Sequence, residues 1–156
     1  MPRRQEDPDR LIVCRNRRAL HDYFVEDRIE AGLVLVGTEV KSLRERRADI
    51  KDAYAVIERG EGWLLNLSIS PWPGSKYFNH PPERRRKLLL NRRELQRLAI
   101  ALKQRGYTLV ALEVYFNQRN RAKVLLGLAR GKRKYDKRET IREREEERAA
   151  RREEPE

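Results

Sequence analysis

The stretch from Arg130 to Glu156 limits what this chain can fold into, because its only sizeable apolar side chains are Tyr135 and Ile141. Ordering a residue costs roughly 1 to 2 kcal/mol of backbone entropy, and this segment has almost no apolar area to offset it. The folded domain must come from the residues before it. The tail is expected to be disordered when free and to order only against a partner. Wound as a helix, it would carry Lys134, Lys137, Arg138, Arg142, Arg144, Arg148, Arg151 and Arg152 on one broad side. Asp136, Glu139, Glu143, Glu146, Glu147, Glu153 and Glu154 would fall on the other, with Glu145 the one intruder. Pairs such as Glu139 with Arg142 add only about 0.2 to 0.5 kcal/mol each, so an isolated helix would be partial. Such a helix suits phosphate along one side; a solvated charged run is the plain alternative.

Charge points to the same kind of partner. The 156 residues hold 37 Lys plus Arg against 25 Asp plus Glu, a formal charge of +12. From Arg130 onward there are 11 basic and 9 acidic residues, so +10 sits on the body. An excess of this size implies a polyanion. Nucleic acid fits better than a membrane surface, since no apolar anchoring helix accompanies the charge. The single cysteine, Cys14, excludes an intramolecular disulfide and agrees with a reducing cytosol. Aliphatic runs such as Leu33 to Val36 are far short of a membrane span, and Met1 to Gln5 begins no signal peptide. A cytoplasmic protein with no membrane partner is expected.

Along the chain, residues 1–11 read as a flexible start, 12–130 as one domain and 131–156 as the tail. Aromatic and β-branched residues on either side of Glu26-Asp27 predict two neighbouring strands between Asn16 and Val36. Thr38 is placed to cap a short helix ending near Ala48. Ala53–Glu58 and Trp63–Ile69 flank Arg59-Gly60-Glu61-Gly62, a hairpin signature. Pro71 to Pro82, with four of the seven prolines, reads as a long functional loop running into Glu83–Lys87. Asn91 can cap a helix with Glu94 three residues on, a stripe of Leu95, Leu98, Ala99 and Leu102, and a stop at Gly106. A second hairpin turns at Asn117–Asn120. Six strands with peripheral helices give a mostly β (α+β) domain, and closure into an oligonucleotide-binding-like barrel would remove exposed edges.

Catalytic chemistry finds little support. Two histidines and one cysteine share no helix at ligand spacing, so no zinc site or other cofactor is expected. His21 beside Asp22 suggests a general base only if both face one way, which neighbours in a strand do not. Glu30, Glu39, Asp49 and Asp52 could gather around magnesium as in a nuclease, but carboxylates among arginines more often form ion pairs.

Five segments, in order, carry a resemblance. They are Asn16–Tyr23, Glu30–Leu33, Gly37–Arg44, Arg86–Asn91 and Gly131–Arg138, and with them the chain resembles the SmpB family of SsrA-binding proteins over about residues 12 to 145. The resemblance implies a barrel that grips the tRNA-like domain of tmRNA, using the positions of Glu30, Leu89 and Asn91. Lys87, Arg84, Arg86, His80 and Lys41 are read as phosphate contacts by charge and position, and Tyr23 as a candidate for base stacking. The resemblance further implies that the tail enters the decoding centre and empty messenger channel of a stalled ribosome. There Gly131 would be a hinge, and Lys132, Arg133, Lys134, Asp136, Lys137, Arg138 and Arg142 would meet small-subunit rRNA while Tyr135 stacks. Elongation factor Tu with GTP and alanyl-tRNA synthetase are implied as indirect partners through tmRNA. The expected function is therefore delivery of alanyl-tmRNA in trans-translation, not catalysis. A structural ribosomal protein and a metal-dependent RNase using Glu30 and Glu39 are the competing readings.

Overall fold

A computed structural model describes residues 10–75 and 77–131; the N-terminal nine residues, Lys76 and the tail from Lys132 lie outside the described residues. Nine strands and three helices follow in the order β1 (Leu11–Arg15), α1 (Arg17–Asp22), β2 (Tyr23–Leu33), α2 (Gly37–Arg44), β3 (Ala48–Asp49), β4 (Tyr54–Glu58), β5 (Glu61–Leu65), β6 (Ser68–Ile69), β7 (Arg86–Leu89), α3 (Arg92–Lys103), β8 (Tyr107–Phe116) and β9 (Ala122–Gly131). Strands β8, β4, β5, β7, β2 and β9 pair in sequence, and β9 returns to β8, closing a six-stranded ring. β1 pairs antiparallel with the far end of β8, and β3 with β6 forms a separate two-stranded sheet. Alternation sends Ile29, Ala31 and Leu33 of β2, Leu64 of β5, Leu88 of β7 and Val124 and Leu126 of β9 into one core. Each fully buried leucine there contributes about 1.5 to 3 kcal/mol.

Local chemistry fixes the turns. Glu58 pairs with Glu61, so the β4–β5 turn is only Arg59 and Gly60, whose φ values of 51° and 76° are those of the tight hairpin that follows strand twist. At the β8–β9 turn, the Asn117 Oδ1 accepts the backbone N–H groups of Arg119 and Arg121 at 3.0 and 2.9 Å. α3 begins as expected, with the Asn91 Oδ1 accepting from the Glu94 N–H at 2.8 Å, and Gly106 turns the chain at φ 89°.

The expected count of six ring strands is met by a different set. Arg17–Asp22 forms a helix rather than a strand, and the two strands expected around Glu26-Asp27 are one eleven-residue strand. An irregular register between Val25 and Asp27 bends it without breaking it. The sixth ring strand is β7, which follows the Pro71–Pro82 loop and is not among the expected strands; its inward position, Arg86, is charged and interrupts the apolar alternation. α2 also starts one residue before Thr38: Val36 occupies the cap position, and the Glu39 carboxylate accepts its N–H at 2.9 Å.

α1 exists because of Asn16. Its Oδ1 accepts from the Ala19 N–H at 3.1 Å, while its Nδ2 donates to the carbonyls of Ile50 at 3.2 Å and Ala111 at 3.0 Å. One buried amide thus joins a helix start, the turn before β4 and the middle of β8. Asn16→Ala loses a cap worth about 1 kcal/mol and takes the side-chain donor from the Ala111 and Ile50 carbonyls, of which Ile50 keeps the Ala53 N–H at 3.0 Å, at about 1 to 3 kcal/mol. Urea denaturation should report a loss of about 2 to 4 kcal/mol, and a loss below about 1 kcal/mol would remove Asn16 from this role.

Candidate nucleic-acid interface

β2 and β7 run antiparallel with Gly32 opposite Leu89 and Leu33 opposite Leu88. Since Ile29, Ala31, Leu33 and Leu88 point into the core, Glu30, Gly32, Lys87 and Leu89 face outward together. Leu89 is 58% exposed, and its side chain lies over Gly32, where an added Cβ would stand 3.0 Å from the Leu89 Cβ. Glycine is what lets the leucine lie flat on the barrel wall. A single exposed leucine is ordinary on a protein surface. This one has company: a carboxylate on the next strand, a lysine two residues before it and the exposed Asn91 two residues after it.

Glu30 is held in place. The Tyr115 hydroxyl donates to its Oε2, and an Arg10 guanidinium lies 5.1 Å from the centre of the Tyr115 ring. Burial, and then that hydrogen bond, push the Tyr115 phenol well above the usual tyrosine value, so it stays a donor at any physiological pH. The other Glu30 oxygen has no partner among the described residues and can accept from a base amine or a ribose hydroxyl. Lys87 makes only a 3.4 Å exposed ion pair with Glu61, worth little in water, so a phosphate can compete for it. Lys123, opposite Gly32 on β9, shares this face and has no ion-pair partner among the described residues. Nothing in the one-dimensional pattern marked Lys123 or Tyr115, since their relevance comes from cross-strand register alone.

Two residues expected to meet phosphate lie inside the protein. Arg86 is fully buried, with its Nε donating to Glu39 Oε2 and its other nitrogens donating to the carbonyls of Leu67, Arg84 and Pro82. Arg84 completes the arrangement, its Nη2 donating to Glu39 Oε1 at 2.6 Å, and stays partly exposed at the edge. Burial alone would raise the Glu39 carboxyl, but hydrogen bonds from Arg84 and the Val36 N–H and the charge of Arg86 more than reverse it and hold it below the usual carboxylate value. A carboxylate so engaged is not available to a magnesium ion, and among the described residues no group of three or more His, Cys, Asp or Glu is placed to hold one. His80 is also buried: its Nε2 donates to the Ile69 carbonyl and its Nδ1 meets the Thr38 hydroxyl, both at 2.8 Å. It pins the Pro71–Pro82 loop to α2.

The remaining expected contacts are dispersed. Lys41 is exposed on α2. Tyr23 opens β2, seven residues and roughly 23 Å of strand from Glu30, and pairs with Gly131 where the described chain ends. It lines an open groove of ≈ 470 Å³ with Asn16, Arg18, Asp22, Lys51 and Tyr54. His21 sits on helix α1 with its Nδ1 3.2 Å from Asp22, so the two do meet, although Asp22 is shared with Arg18 at 3.2 Å. Burial pushes the Cys14 thiol up to about 11, which keeps it protonated and inert. The tail positions Lys132 to Arg138 and Arg142 lie outside the described residues.

A small closed barrel whose outer wall brings a fixed carboxylate, a flat leucine and lysines together on neighbouring strands is of the oligonucleotide-binding type. A family model described as SmpB protein matches residues 13–155, and the chain belongs to the SmpB family. It is 51% identical over 144 residues to the SsrA-binding protein of Limosilactobacillus reuteri, covering 92% of this chain and 90% of that one. It is 55% identical over 130 residues to the SsrA-binding protein of Moorella thermoacetica, covering 83% and 84%. A solved chain described as "tmRNA-SmpB: a journey to the center of the bacterial ribosome" superposes with a TM-score of 0.66 at 53% identity, covering 76% of this chain and 83% of that chain.

Proposed function

We propose that this protein binds tmRNA and serves trans-translation, the rescue of stalled ribosomes. Family membership across nearly the whole chain carries this reading. The seam of β2 and β7 supplies the surface: Glu30 accepts from a base or ribose hydroxyl, Leu89 packs under a sugar or base edge, and Lys87 takes a phosphate. Asn91 has one acceptor committed to capping α3 and keeps its amide donor for RNA. Arg84 and Lys41 add charge at the margin, whereas Arg86 and His80 serve by holding the wall and its loop together. Tyr23 belongs to a different end of the barrel, beside the exit of the tail.

The role is delivery. The barrel carries alanyl-tmRNA, charged by alanyl-tRNA synthetase and accompanied by elongation factor Tu with GTP, and the tail takes up the decoding centre and empty messenger channel. The setting is the cytoplasm. Among the described residues no helix is long and apolar enough to cross a membrane.

Competitive binding of the purified protein to tmRNA, bulk tRNA and duplex RNA at about 150 mM salt tests the reading. Nonspecific binding is then typically only about 10⁻⁴ to 10⁻⁶ M. A tmRNA preference of about a hundredfold or more is expected, within the range known for specific sites. Glu30→Ala and Leu89→Ala should each remove most of it while leaving the melting temperature within a few degrees. Equal affinity for all three RNAs would sink the proposal and leave a general rRNA-binding protein.

A further inference from the structure

The loop between β6 and β7 holds two adjacent aromatic rings out in water: Tyr77 is 99% exposed and Phe78 is 68% exposed. No core position claims either ring, yet the loop beneath them is tied at several points. Asn79 bonds across its base in both directions, its Oδ1 accepting from the Trp72 N–H at 2.9 Å and its Nδ2 donating to the Trp72 carbonyl at 2.8 Å. The Ser75 hydroxyl donates to the Phe78 carbonyl, and the Ser75 N–H donates to the Trp72 carbonyl at 3.2 Å. Next in the chain, buried His80 bridges α2 and β6. Such bracing sets the rings' place in advance, which lowers the ordering cost of whatever they meet.

The surroundings select the partner. Ser42 donates to the Ser70 carbonyl at 2.7 Å, bringing α2 with exposed Lys41 against one end of the loop. The other end runs through Arg84 and Arg85 into β7, whose Leu89 and Lys87 form the proposed tmRNA seam. Aromatic faces in a basic setting, without a closed apolar groove, fit stacked bases better than a peptide or a lipid tail. We propose that Tyr77 and Phe78 form a stacking platform for an unpaired base of tmRNA, the same RNA that the seam holds. The proposal rests on the function above and adds a second, charge-independent contact to it.

The test compares wild type with Tyr77→Ala/Phe78→Ala for tmRNA affinity across salt concentrations. Both rings are exposed, so melting should be unchanged, and Tyr77→Ala alone serves if the double variant misfolds. The expected loss is about 5- to 100-fold per stacked base, with the slope of log affinity against log salt unaltered because no phosphate contact is removed. Tyr77→Trp should keep the affinity and Tyr77→Leu should lose it, since leucine is apolar but offers no π-face. Unchanged affinity in the double variant, or full rescue by leucine, would overturn the platform; rescue by leucine would indicate an apolar protein surface instead. A wild type that binds tmRNA no better than bulk tRNA would overturn the tmRNA reading itself, a result distinct from either.

Discussion

Replacing Glu39 with alanine is expected to remove about 3 to 5 kcal/mol of folding stability, because it leaves the fully buried Arg86 guanidinium without its counter-charge. That is a large share of the roughly 5 to 15 kcal/mol that holds a typical domain together. The carboxylate does three things at once: it neutralises Arg86, takes an N–H from Arg84, and accepts the first orphan N–H of α2 from Val36. Glu39→Gln keeps the shape and the acceptor oxygen but not the charge, so it should lose less. Replacing Glu39 and Arg86 together by leucine and methionine should not restore full stability. Arg86 also supplies donors to the carbonyls of Leu67, Arg84 and Pro82; an apolar pair would take that donor from all three, and among the described residues only Pro82 keeps another, the Ile69 N–H at 2.9 Å. The sign of the pH dependence follows from the direction of the shift. The folded-state pKa of Glu39 is depressed, so its contribution is complete above the unfolded value near 4.3 and is lost as pH falls through the folded value. Urea denaturation at pH 7 and at pH 3 gives the check: wild type should lose more stability on acidification than Glu39→Gln does. An alanine variant within about 1 kcal/mol of wild type would mean that water reaches Arg86 and the pair is not dry.

The same pair explains what could be read from the sequence and what could not. Hairpins written in local chemistry were legible: Arg59-Gly60 and Asn117–Asn120 turn where glycine and asparagine tolerate positive φ or fold back on the backbone. So was α3, whose cap, stripe and stop all lie within sixteen residues. β7 was not legible, because an inward arginine breaks the apolar alternation and only a glutamate 47 residues away accounts for it. α1 was hidden for a related reason. Its cap residue, Asn16, is fixed by carbonyls at Ile50 and Ala111, and the β-branched residues that follow belong to the next strand. The seam was legible only by resemblance. Glu30 and Leu89 become neighbours through the Gly32–Leu89 register, and no spacing along the chain encodes a register between strands 59 residues apart. Charge misled in one direction: Arg86 and His80 look like surface residues in a basic run, and long-range bonds place both in the interior.

Truncation after Gly131 is expected to leave tmRNA affinity within about twofold of wild type and to abolish peptide tagging. The structural half of the expectation follows from where β9 ends. Gly131 pairs with Tyr23, and Arg130 lies opposite Phe24 and Tyr107, so the cut leaves every pairing among the described residues in place. The electrostatic half follows from the sequence. Lys132 to Glu156 holds ten basic and nine acidic residues, so the shortened chain keeps a formal charge of +11 out of +12. Long-range attraction to RNA scales with that charge and should hardly change. What the cut removes is a sequence pattern that, wound as a helix, would set cations along one side and carboxylates along the other. A tail of the same composition in scrambled order therefore separates pattern from bulk charge. Gel-shift titration with tmRNA and a reconstituted tagging assay on a stalled ribosome read the two halves separately. Loss of binding together with tagging would place the tail in the tmRNA site, and tagging restored by the scrambled tail would reduce its role to charge. Binding kept and tagging lost with both the truncated and the scrambled chains would establish the barrel as the tmRNA grip and the ordered charge pattern as what the ribosome reads.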